Sequence, residues 1–358
     1  MVKTFFKVIF VIILILAIAA GAGLGMMTAF EYRPDDTESE ELIGQAELSP
    51  EQGKPIKIMT WNMGYGALGD NADFFMVGGK SVFTADTDRL RENLKGIREK
   101  VAEQDADIYF FQEVDKESSR SFKLDETKEV EKWLEEDLGA KYQTMFAYNY
   151  KAYFVPFPVP PLGMVQSGVM TASCFRCQRA DRVKLPCPFE WPVRTVNLKR
   201  CLLVTRIRLA GSGKYLVLIN LHLEAYDSGE GKAAQTKALL DVMKKERDMG
   251  NYVVVGGDFN QTFSDVDMSE YPVMTGNWQP GILEVEDFLP DFTPVMDAGI
   301  PTCRSLDKPL PADTAGHQFY MIDGFIVSDN VKVNDIETID TGFEYSDHNP
   351  VVMEFVLK

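Results

Sequence analysis

Tyr345-Ser346-Asp347-His348-Asn349-Pro350 is the last polar segment of the chain and lies directly before an apolar run, 351–356. A carboxylate and an imidazole at the start of a strand are groups that bind metal ions and transfer protons. The chain has three histidines, and His222 lies at another predicted strand boundary, whereas His317 lies in an irregular Gly-containing segment and is expected to be structural. The segment therefore predicts one part of a polar site that other strands complete.

Polar side chains also end several other predicted strands. A single Asn or Asp after a strand is usually a turn residue, but repetition at successive strands predicts groups that converge on one cleft. These groups are Asn62, Glu113, Asn220 with His222, Asp258 with Asn260, and Asp323. Arg120, shortly after Glu113, is a candidate substrate-binding residue because a guanidinium pairs with anionic groups, and a surface salt bridge is the alternative.

Short apolar runs with strand character outnumber the helical patterns. The predicted strands are 56–61, 108–111, 165–172, 202–209, 215–221, 252–256, 321–327 and 351–356, and the predicted helices are 86–104, 127–138 and 232–249. Four prolines make 154–163 a loop, and 261–311 is a second long irregular region. Because no repeat period is evident, the pattern predicts an α/β fold: a four-layer α/β sandwich of two packed, mainly antiparallel sheets with outer helices.

One transmembrane helix is expected to precede this domain. Residues 8–30 contain no charged side chain and are long enough to cross a bilayer as a signal anchor. Lys3 and Lys7 precede them and acidic residues follow, which predicts a cytoplasmic stub, 1–7, and a single-pass cell-membrane protein with its large domain outside. The small residues at 17–22 leave a cleaved signal peptide, and therefore secretion, as the alternative.

Acidic residues dominate the segment after the apolar stretch. Residues 31–54 carry eight acidic side chains against two basic ones, which predicts a solvated, flexible tether before the large domain, 55–358. Across the whole chain, 54 acidic and 37 basic residues give a formal charge of −17. Such a charge speaks against passive binding along a nucleic-acid backbone, but a metal-centred site can still neutralise one phosphate locally.

The five cysteines are an odd number, and four of them lie between 174 and 201. Cys174 and Cys177 have C-x-x-C spacing, but no second pair or nearby histidines complete a zinc site. A disulfide within the cluster and unpaired core thiols both remain open.

Six short motifs carry a resemblance to a known family. They occur in the family's order, and the sequence resembles the endonuclease/exonuclease/phosphatase superfamily, of the deoxyribonuclease I-like kind. The motifs are Thr60-Trp61-Asn62, Phe111-Gln112-Glu113-Val114, Asn220-Leu221-His222-Leu223, Gly257-Asp258-Phe259-Asn260, Ile322-Asp323 and Ser346-Asp347-His348-Asn349-Pro350.

The resemblance implies a role for each matching residue. Glu113 is expected to be the principal ligand of Mg²⁺, or of Mn²⁺, with Asn62 and Asp347 completing the metal site. Asp258 would position or deprotonate the attacking water, Asn260 would hold a phosphate oxygen, and His348, oriented by Asp323, would act in acid-base chemistry or phosphate stabilisation. His222 resembles the deoxyribonuclease I, sphingomyelinase and inositol-phosphatase branches, and Asn220 beside it is a substrate-binding candidate. No carboxylate partner for His222 is evident within 166–177.

The expected function is that of a metal-dependent phosphodiesterase acting outside the cytoplasm, with nucleic acid slightly favoured as the substrate. A lipid-head-group phosphodiesterase and an inositol or sugar phosphatase are the alternatives, and Tyr153, Phe154 and Phe157 near the Pro-rich loop are candidates for lipid contact. A non-catalytic binding module is disfavoured because no motif residue is missing. A monomer is the default expectation.

Overall fold

Eighteen strands and four α-helices form in the part of the chain that the structure describes. The computed structural model describes residues 2–139, 141–227, 229–311, 314 and 316–358. The helices are α1 Val2–Ala29, α2 Thr87–Gln104, α3 Glu126–Leu138 and α4 Glu230–Asp248. The strands are β1 Thr37–Glu40, β2 Ile43–Gly44, β3 Ile56–Asn62, β4 Ile108–Asp115, β5 Gln143–Val155, β6 Gly163–Ser173, β7 Cys177–Lys184, β8 Cys201–Arg208, β9 Tyr215–His222, β10 Tyr252–Asp258, β11 Gln261–Phe263, β12 Gly281–Leu283, β13 Phe292–Val295, β14 Cys303–Arg304, β15 Phe319–Tyr320, β16 Asp323–Ser328, β17 Val331–Thr338 and β18 Val351–Leu357.

Two seven-stranded sheets carry the domain. The first sheet has the order β1-β7-β8-β9-β10-β16-β13, and the second has the order β17-β18-β3-β4-β6-β5-β2. Each sheet is mixed and contains one parallel pair, β9 with β10 and β3 with β4, among otherwise antiparallel neighbours. Parallel neighbours require a long crossover, which α4 and α2 supply. The predicted α/β architecture with two mainly antiparallel sheets is therefore confirmed.

The buried apolar side chains form three layers: one between the two sheets, and one between each sheet and the helices on its outer face. The inner faces of the two sheets pack through fully buried side chains such as Phe110 and Val254. Helices α2 and α3 cover the outer face of the second sheet, where Ile97 packs near Trp61. Helix α4 covers the outer face of the first sheet through Leu239 and neighbouring residues. Burial of these apolar faces on both sides of each sheet is the main stabilising contribution.

Predicted helix positions agree with the structure to within about two residues, the usual uncertainty of a helix end. Helix α2 begins after Asp86, whose side chain accepts hydrogen bonds from the backbone N–H groups of Asp88 and Arg89. This is the N-cap that satisfies two otherwise unpaired donors. The long apolar helix α1 has no buried side chain and is long and apolar enough to cross a membrane, a property that a signal sequence shares.

Three long strands were not predicted. Strands β5, β7 and β17 alternate between apolar and polar or charged residues, and β17 forms one edge of the second sheet. A half-exposed strand gives a weaker apolar signal than a strand buried on both faces. The Pro-rich stretch connects β5 to β6 as a loop, and short strands and turns interrupt the predicted long irregular region after β10.

The expectation of a free tether at 31–54 does not hold for its central part. Strand β1 pairs with β7 at the edge of the first sheet, and β2 pairs with β5 at the edge of the second. The segment therefore contributes one edge strand to each sheet. Acidic composition predicts solvation of side chains, but it cannot show that the backbone completes a neighbouring sheet edge, where paired N–H and C=O groups favour addition of a strand.

All five cysteines are unpaired. Four are buried, and burial raises the pKa of the Cys201 thiol to about 11. Cys174 and Cys177 do not belong to any group of potential metal ligands among the described residues. Of the two possibilities left open by the sequence, the structure contains core thiols.

The edge strands predict that residues 31–54 stabilise the catalytic domain. A fragment of residues 55–358 should melt several degrees below a fragment of residues 31–358, since about 2–4 °C is lost per kcal/mol in a domain of this size. Differential scanning calorimetry measures the two midpoints. Asp35→Asn with Glu41→Gln in the longer fragment is the matched control, because it removes exposed charge and keeps both strands. Equal midpoints for the two fragments would show that β1 and β2 contribute nothing.

Candidate active site

Three neighbouring strands of the first sheet place their polar residues in one row. Asp258 on β10 is the direct cross-strand partner of His222 on β9 and of Asp323 on β16. Asp323 starts its strand rather than ending it, but β16 runs antiparallel to β10 and so reaches the same edge. Gly257 adopts φ +140°, and a Cβ atom there would lie 2.1 Å from the carbonyl oxygen of Leu221, so the row requires glycine before Asp258.

The second sheet faces this row with Asn62 and Glu113. Asn62 ends β3, and Glu113 lies in a β-bulge of β4, where the pairing with β6 shifts by one residue between Phe111 and Val114. Glu113 has φ +52°, a conformation that is uncommon for a residue with a Cβ atom. Bulges redirect side chains and are frequent at functional sites. The bulge turns Glu113 into the cleft, while the preceding Gln112 stays fully buried between the sheets.

The segment before β18 joins the two halves of the site. The Ser346 hydroxyl donates to the carbonyl oxygen of Asn62 at 2.8 Å and accepts from the backbone N–H of His348 at 3.2 Å. The indole N–H of Trp61 donates to the carbonyl oxygen of His348 at 2.8 Å. These three bonds fix the imidazole of His348 relative to the end of β3.

The polar side chains meet around Asp258. Its Oδ2 atom accepts a hydrogen bond from Nδ2 of Asn62 at 3.0 Å and lies 3.3 Å from Nε2 of His222 and 3.8 Å from Nε2 of His348. Asn62 Nδ2 is also 3.4 Å from Oε1 of Glu113. Asp258 therefore supplies the carboxylate that the sequence did not reveal as a neighbour of His222.

Burial and mutual repulsion raise the pKa values of two carboxyl groups. Burial, followed by the charge of Asp323, raises the pKa of Asp258 to about 7. Burial raises the pKa of Asp347 to about 6; the nearby His348 opposes this rise, and Glu113 adds to it. Carboxylates that are costly to ionise without a counter-ion are typical of sites that bind a cation or exchange protons.

Burial and nearby charges shift the pKa values of His348 and His222 in opposite directions. Burial by itself lowers the pKa of His348, but the carboxylate of Asp323, 2.8 Å from its Nδ1 atom, outweighs burial, and the net pKa lies well above the usual value. Burial and the charge of Arg200 lower the pKa of His222 well below the usual value. These shifts favour the protonated form of His348 and the neutral form of His222 within one cleft.

The donor set around Glu113 fits a hard divalent cation. Oδ1 of Asp347 is buried and has no hydrogen-bond partner within the described residues, and its carboxylate senses the charge of Glu113. Carboxylate and amide oxygens are the ligands that Mg²⁺ and Mn²⁺ prefer. Two other groups, Cys303 with Asp347 and His348, and Asp258 with Asp323 and His348, also bring three potential ligands within 4.8 Å. Both share His348, whose protonated ring is not a ligand, so the pair Glu113 and Asp347 with Asn62 fits a cation better.

Three arginines line the cleft. Arg120 is buried and pairs with Asp115 through two bonds of 2.9 and 3.0 Å, and its guanidinium lies 3.6 Å from the ring centroid of Tyr65. The expected alternative of a surface salt bridge is therefore wrong, and Arg120 remains in contact with the cleft. Arg200 and Arg304 also line the cleft. Neither lies in a recognisable motif, so no sequence signal indicates them.

Asn220 is not part of the cleft. It is fully buried, its Oδ1 atom accepts from Nε2 of Gln112 at 2.8 Å, and its Nδ2 atom donates to the carbonyl oxygen of Met170 at 2.8 Å. Asn220 precedes His222 by one strand repeat and so lies on the same face but deeper between the sheets. The expected substrate-binding role is corrected to a structural one that ties the two sheets together. Asn260 lines the cleft as expected. His317 does not line it, but its ring bonds to the carbonyl oxygen of Ser305, which does.

The edge of the two sheets thus assembles most of the predicted site residues. The cleft contains Glu113, Arg120, His222, Asp258, Asn260, Asp347 and His348, while Asn62 and Asp323 bond to these residues from just beneath. Tyr65, Phe74, Tyr226, Trp278 and Tyr320 form its aromatic walls. Acidic, basic and imidazole groups around one cavity suit the binding and hydrolysis of a phosphoester.

This fold and cleft define a hydrolase of phosphoester bonds. The family model of the Endonuclease/Exonuclease/phosphatase family matches residues 59–348, and the chain belongs to this family. Divalent metal ions are typical of its members. Sequence comparison with curated proteins finds no match.

Several solved structures share the fold. An endonuclease/exonuclease/phosphatase from Beutenbergia cavernae has a TM-score of 0.55 at 20% identity, over 85% of this chain and 72% of the other. ANGEL2, described as a 2',3'-cyclic phosphatase in complex with adenosine-2',3'-vanadate, gives 0.54 at 15% identity, over 88% of this chain and 99% of that one. The human nocturnin catalytic domain with bound sulfate gives 0.50 at 17%, over 89% and 98%. At these identities the likeness shows the fold alone.

The raised pKa of Asp258 predicts a conflict between stability and activity. Its folded value of about 7 exceeds the usual 3.8, so the ionised carboxylate destabilises the metal-free fold above pH 7, and this penalty fades as pH falls toward 4. In EDTA at pH 8, Asp258→Asn should raise the free energy of unfolding by about 1–2 kcal/mol. With metal present, the same substitution should abolish turnover. Urea denaturation at pH 8 and near pH 4 measures the difference.

The exposed Asp265, in the segment after β11, provides the matched control, and Asp265→Asn should change neither stability nor turnover. A loss of stability for Asp258→Asn at pH 8 would contradict the conclusion that the ionised Asp258 carboxylate destabilises the metal-free fold.

Proposed function

We propose that the chain is a divalent-metal-dependent phosphodiesterase that acts outside the cytoplasm by in-line attack of water on phosphorus. The observation that carries the proposal is the convergence of Glu113 from β4, Asp258 from β10 and His348 from the segment before β18 around the side chain of Asn62. Such an arrangement provides a cation site, a proton acceptor for water and a charged donor within one cleft.

Asp258 is the proposed acceptor of the proton from the attacking water. Its Oδ1 atom accepts from the backbone N–H of Asn260 at 2.9 Å, which leaves Oδ2 toward the histidines. A pKa of about 7 places this carboxyl group near the value at which a general base works best at neutral pH. Neutral His222, 3.3 Å away, can share the proton.

His348 is the proposed donor that stabilises charge on the phosphoryl group. Asp323 holds the ring through Nδ1, so Nε2 points toward Asp258 and the centre of the cleft. The backbone N–H groups of Ile322 and Asp323 both donate to the hydroxyl of Thr302, which fixes the turn that carries Asp323. Arg120 and Arg200 add positive charge at the wall of the cleft, and Asn260 is the proposed contact of a phosphate oxygen.

Glu113, Asp347 and Asn62 are the proposed holders of Mg²⁺, or of Mn²⁺. When bound, such an ion neutralises charge on the non-bridging oxygens and polarises the phosphorus centre. The protein positions the ligands for this purpose through the bulge at Glu113 and through the bond between Ser346 and the carbonyl oxygen of Asn62.

Two substrate classes fit this cleft. Nucleic acid is the class that the sequence slightly favours, and aromatic walls such as Tyr226 and Trp278 can stack on a base. A phosphorylated lipid head group or sugar has one specific observation in its favour, because the connection before β8 carries Arg200 of the cleft wall and also contacts helix α1. We propose α1 as a signal anchor with the N-terminus in the cytoplasm, since Lys3 and Lys7 precede the apolar stretch.

Removal of the proposed metal ligand should abolish turnover without unfolding the protein. Glu113→Gln keeps the size of the side chain and removes its charge, so hydrolysis of bis-p-nitrophenyl phosphate with saturating Mg²⁺ should fall by about 10²-fold or more. EDTA should abolish wild-type activity, and Mn²⁺ should restore it. Circular dichroism checks that the variant is folded.

Glu117→Gln is the matched control, because Glu117 is exposed just beyond the same strand. Turnover that persists undiminished in EDTA would contradict the metal mechanism. A panel of plasmid DNA, sphingomyelin and inositol phosphates under the same conditions then identifies the substrate class.

A further inference from the structure

Helix α1 is attached to the catalytic domain by direct contacts at its carboxyl end. The rings of Phe30 and Tyr153 meet edge to face with 5.4 Å between centroids, and the indole N–H of Trp191 donates to the hydroxyl of Thr28 at 3.0 Å. The carboxylate of Glu31 lies 3.4 Å from Arg194 and 3.2 Å from Lys199. These contacts hold the domain against the end of the helix.

Large apolar side chains surround this attachment and are exposed. They lie at the end of β5, in the loop between β5 and β6, and around the 3₁₀ turn Val193–Val196. Val159 is 89% exposed, Phe157 72% and Tyr153 67%. Scattered exposed apolar residues are ordinary, but a contiguous group marks an interaction surface. This docking face consists of Tyr153, Phe154, Phe157, Val159, Trp191 and Val193.

The position of the contacts along α1 sets the docking face at the level of a membrane surface. A span that begins at Val8 needs about 20 residues to cross a hydrocarbon core of about 30 Å, so its outer end falls at 27–30. Thr28 and Phe30, which contact the docking face, lie at this level. Trp191 also borders a groove that Gly21, Leu24 and Gly25 of α1 line, one to two turns deeper. Tyr and Trp are the residues that favour the membrane interface.

We infer that the docking face rests on the outer leaflet of the bilayer and holds the catalytic domain against the membrane. The inference rests on the proposed role of α1 as an anchor. The docking face would contact the lipid surface that surrounds that helix. Lys151 precedes Tyr153 by two residues and Arg194 directly follows Val193, so two positive charges lie next to the apolar residues along the chain. Positive charge at this level favours anionic head groups, although the whole chain is acidic and Arg194 also pairs with Glu31.

The same inference places the cleft beside the head groups. Asn149 and Tyr150 line the cleft on β5, three to four residues before Tyr153 of the docking face. The hydroxyl of Tyr150 donates to the carbonyl oxygen of Val196 at 3.0 Å, so β5 and the 3₁₀ turn move together. Substrates therefore enter the cleft at the bilayer surface, and a freely swinging domain is excluded by the attachment of β1 and β2 to the sheets.

Tryptophan fluorescence in brominated bilayers tests this placement directly. The full chain, with its four native tryptophans, is reconstituted into phosphatidylcholine and phosphatidylglycerol vesicles with and without bromine on the acyl chains, and the emission of each variant is compared with that of the unsubstituted chain. Phe157→Trp places a probe on the docking face, and Ile13→Trp places one within α1. Met249→Trp is the matched control, because Met249 is exposed after α4, at the end of the first sheet opposite Asp258.

The expected result is that bromine removes most of the added emission of the probes at 157 and 13 and leaves the probe at 249 unchanged. Quenching at 13 together with an unquenched probe at 157 would overturn the docking face while the anchor stands. An unquenched probe at 13 would overturn the anchor and, with it, the docking on the membrane. None of these outcomes depends on catalysis, so failure of the proposed reaction is detected separately by the turnover assays.

Discussion

The packing of Asp258 between two polar neighbours is the constraint on which the rest of the site depends. Cross-strand pairing puts Asp323 on one side and His222 on the other, and the opposing sheet closes over all three. Two carboxylates this close and this buried cannot both be ionised cheaply unless cations approach them. The ring of His348 is one such cation, and the ion proposed at Glu113, Asp347 and Asn62 would be a second.

The two sheets bring these groups together from distant parts of the sequence. Asn62 and His348 are 286 positions apart, yet Ser346 and Trp61 join their segments by short hydrogen bonds. Asn220 and Gln112 join the two sheets deeper in the core. Gln112 of the second sheet donates to Asn220, and Asn220 of the first sheet donates to the carbonyl oxygen of Met170. A buried polar network of this kind is stable only when every member is satisfied, so it fixes how the sheets are aligned.

The sequence predicted the strand-end residues because catalytic chemistry restricts which side chains follow a strand. It also predicted the helices, whose caps and apolar spacing are local signals. Two features depended on distant partners and were therefore missed: the pairing of β1 and β2 with sheet edges, and the convergence of Arg200 and Arg304 on the cleft. Asn220 was misassigned for a related reason, since strand alternation gives the face of a residue but not its depth.

Burial raises the pKa values of Asp347 and Asp258, and a divalent cation held by Glu113, Asp347 and Asn62 would lower both values. Isothermal titration of Mn²⁺ into the metal-free protein near pH 6.5, in buffers of different ionisation enthalpy, measures both the stoichiometry and the protons released. One ion per chain should bind with release of protons, and Asp347→Asn should lose both, because ionisation of Asp347 and Asp258 is completed when the ion binds. Absence of binding, or unchanged binding by Asp347→Asn, would contradict a cation site at these residues.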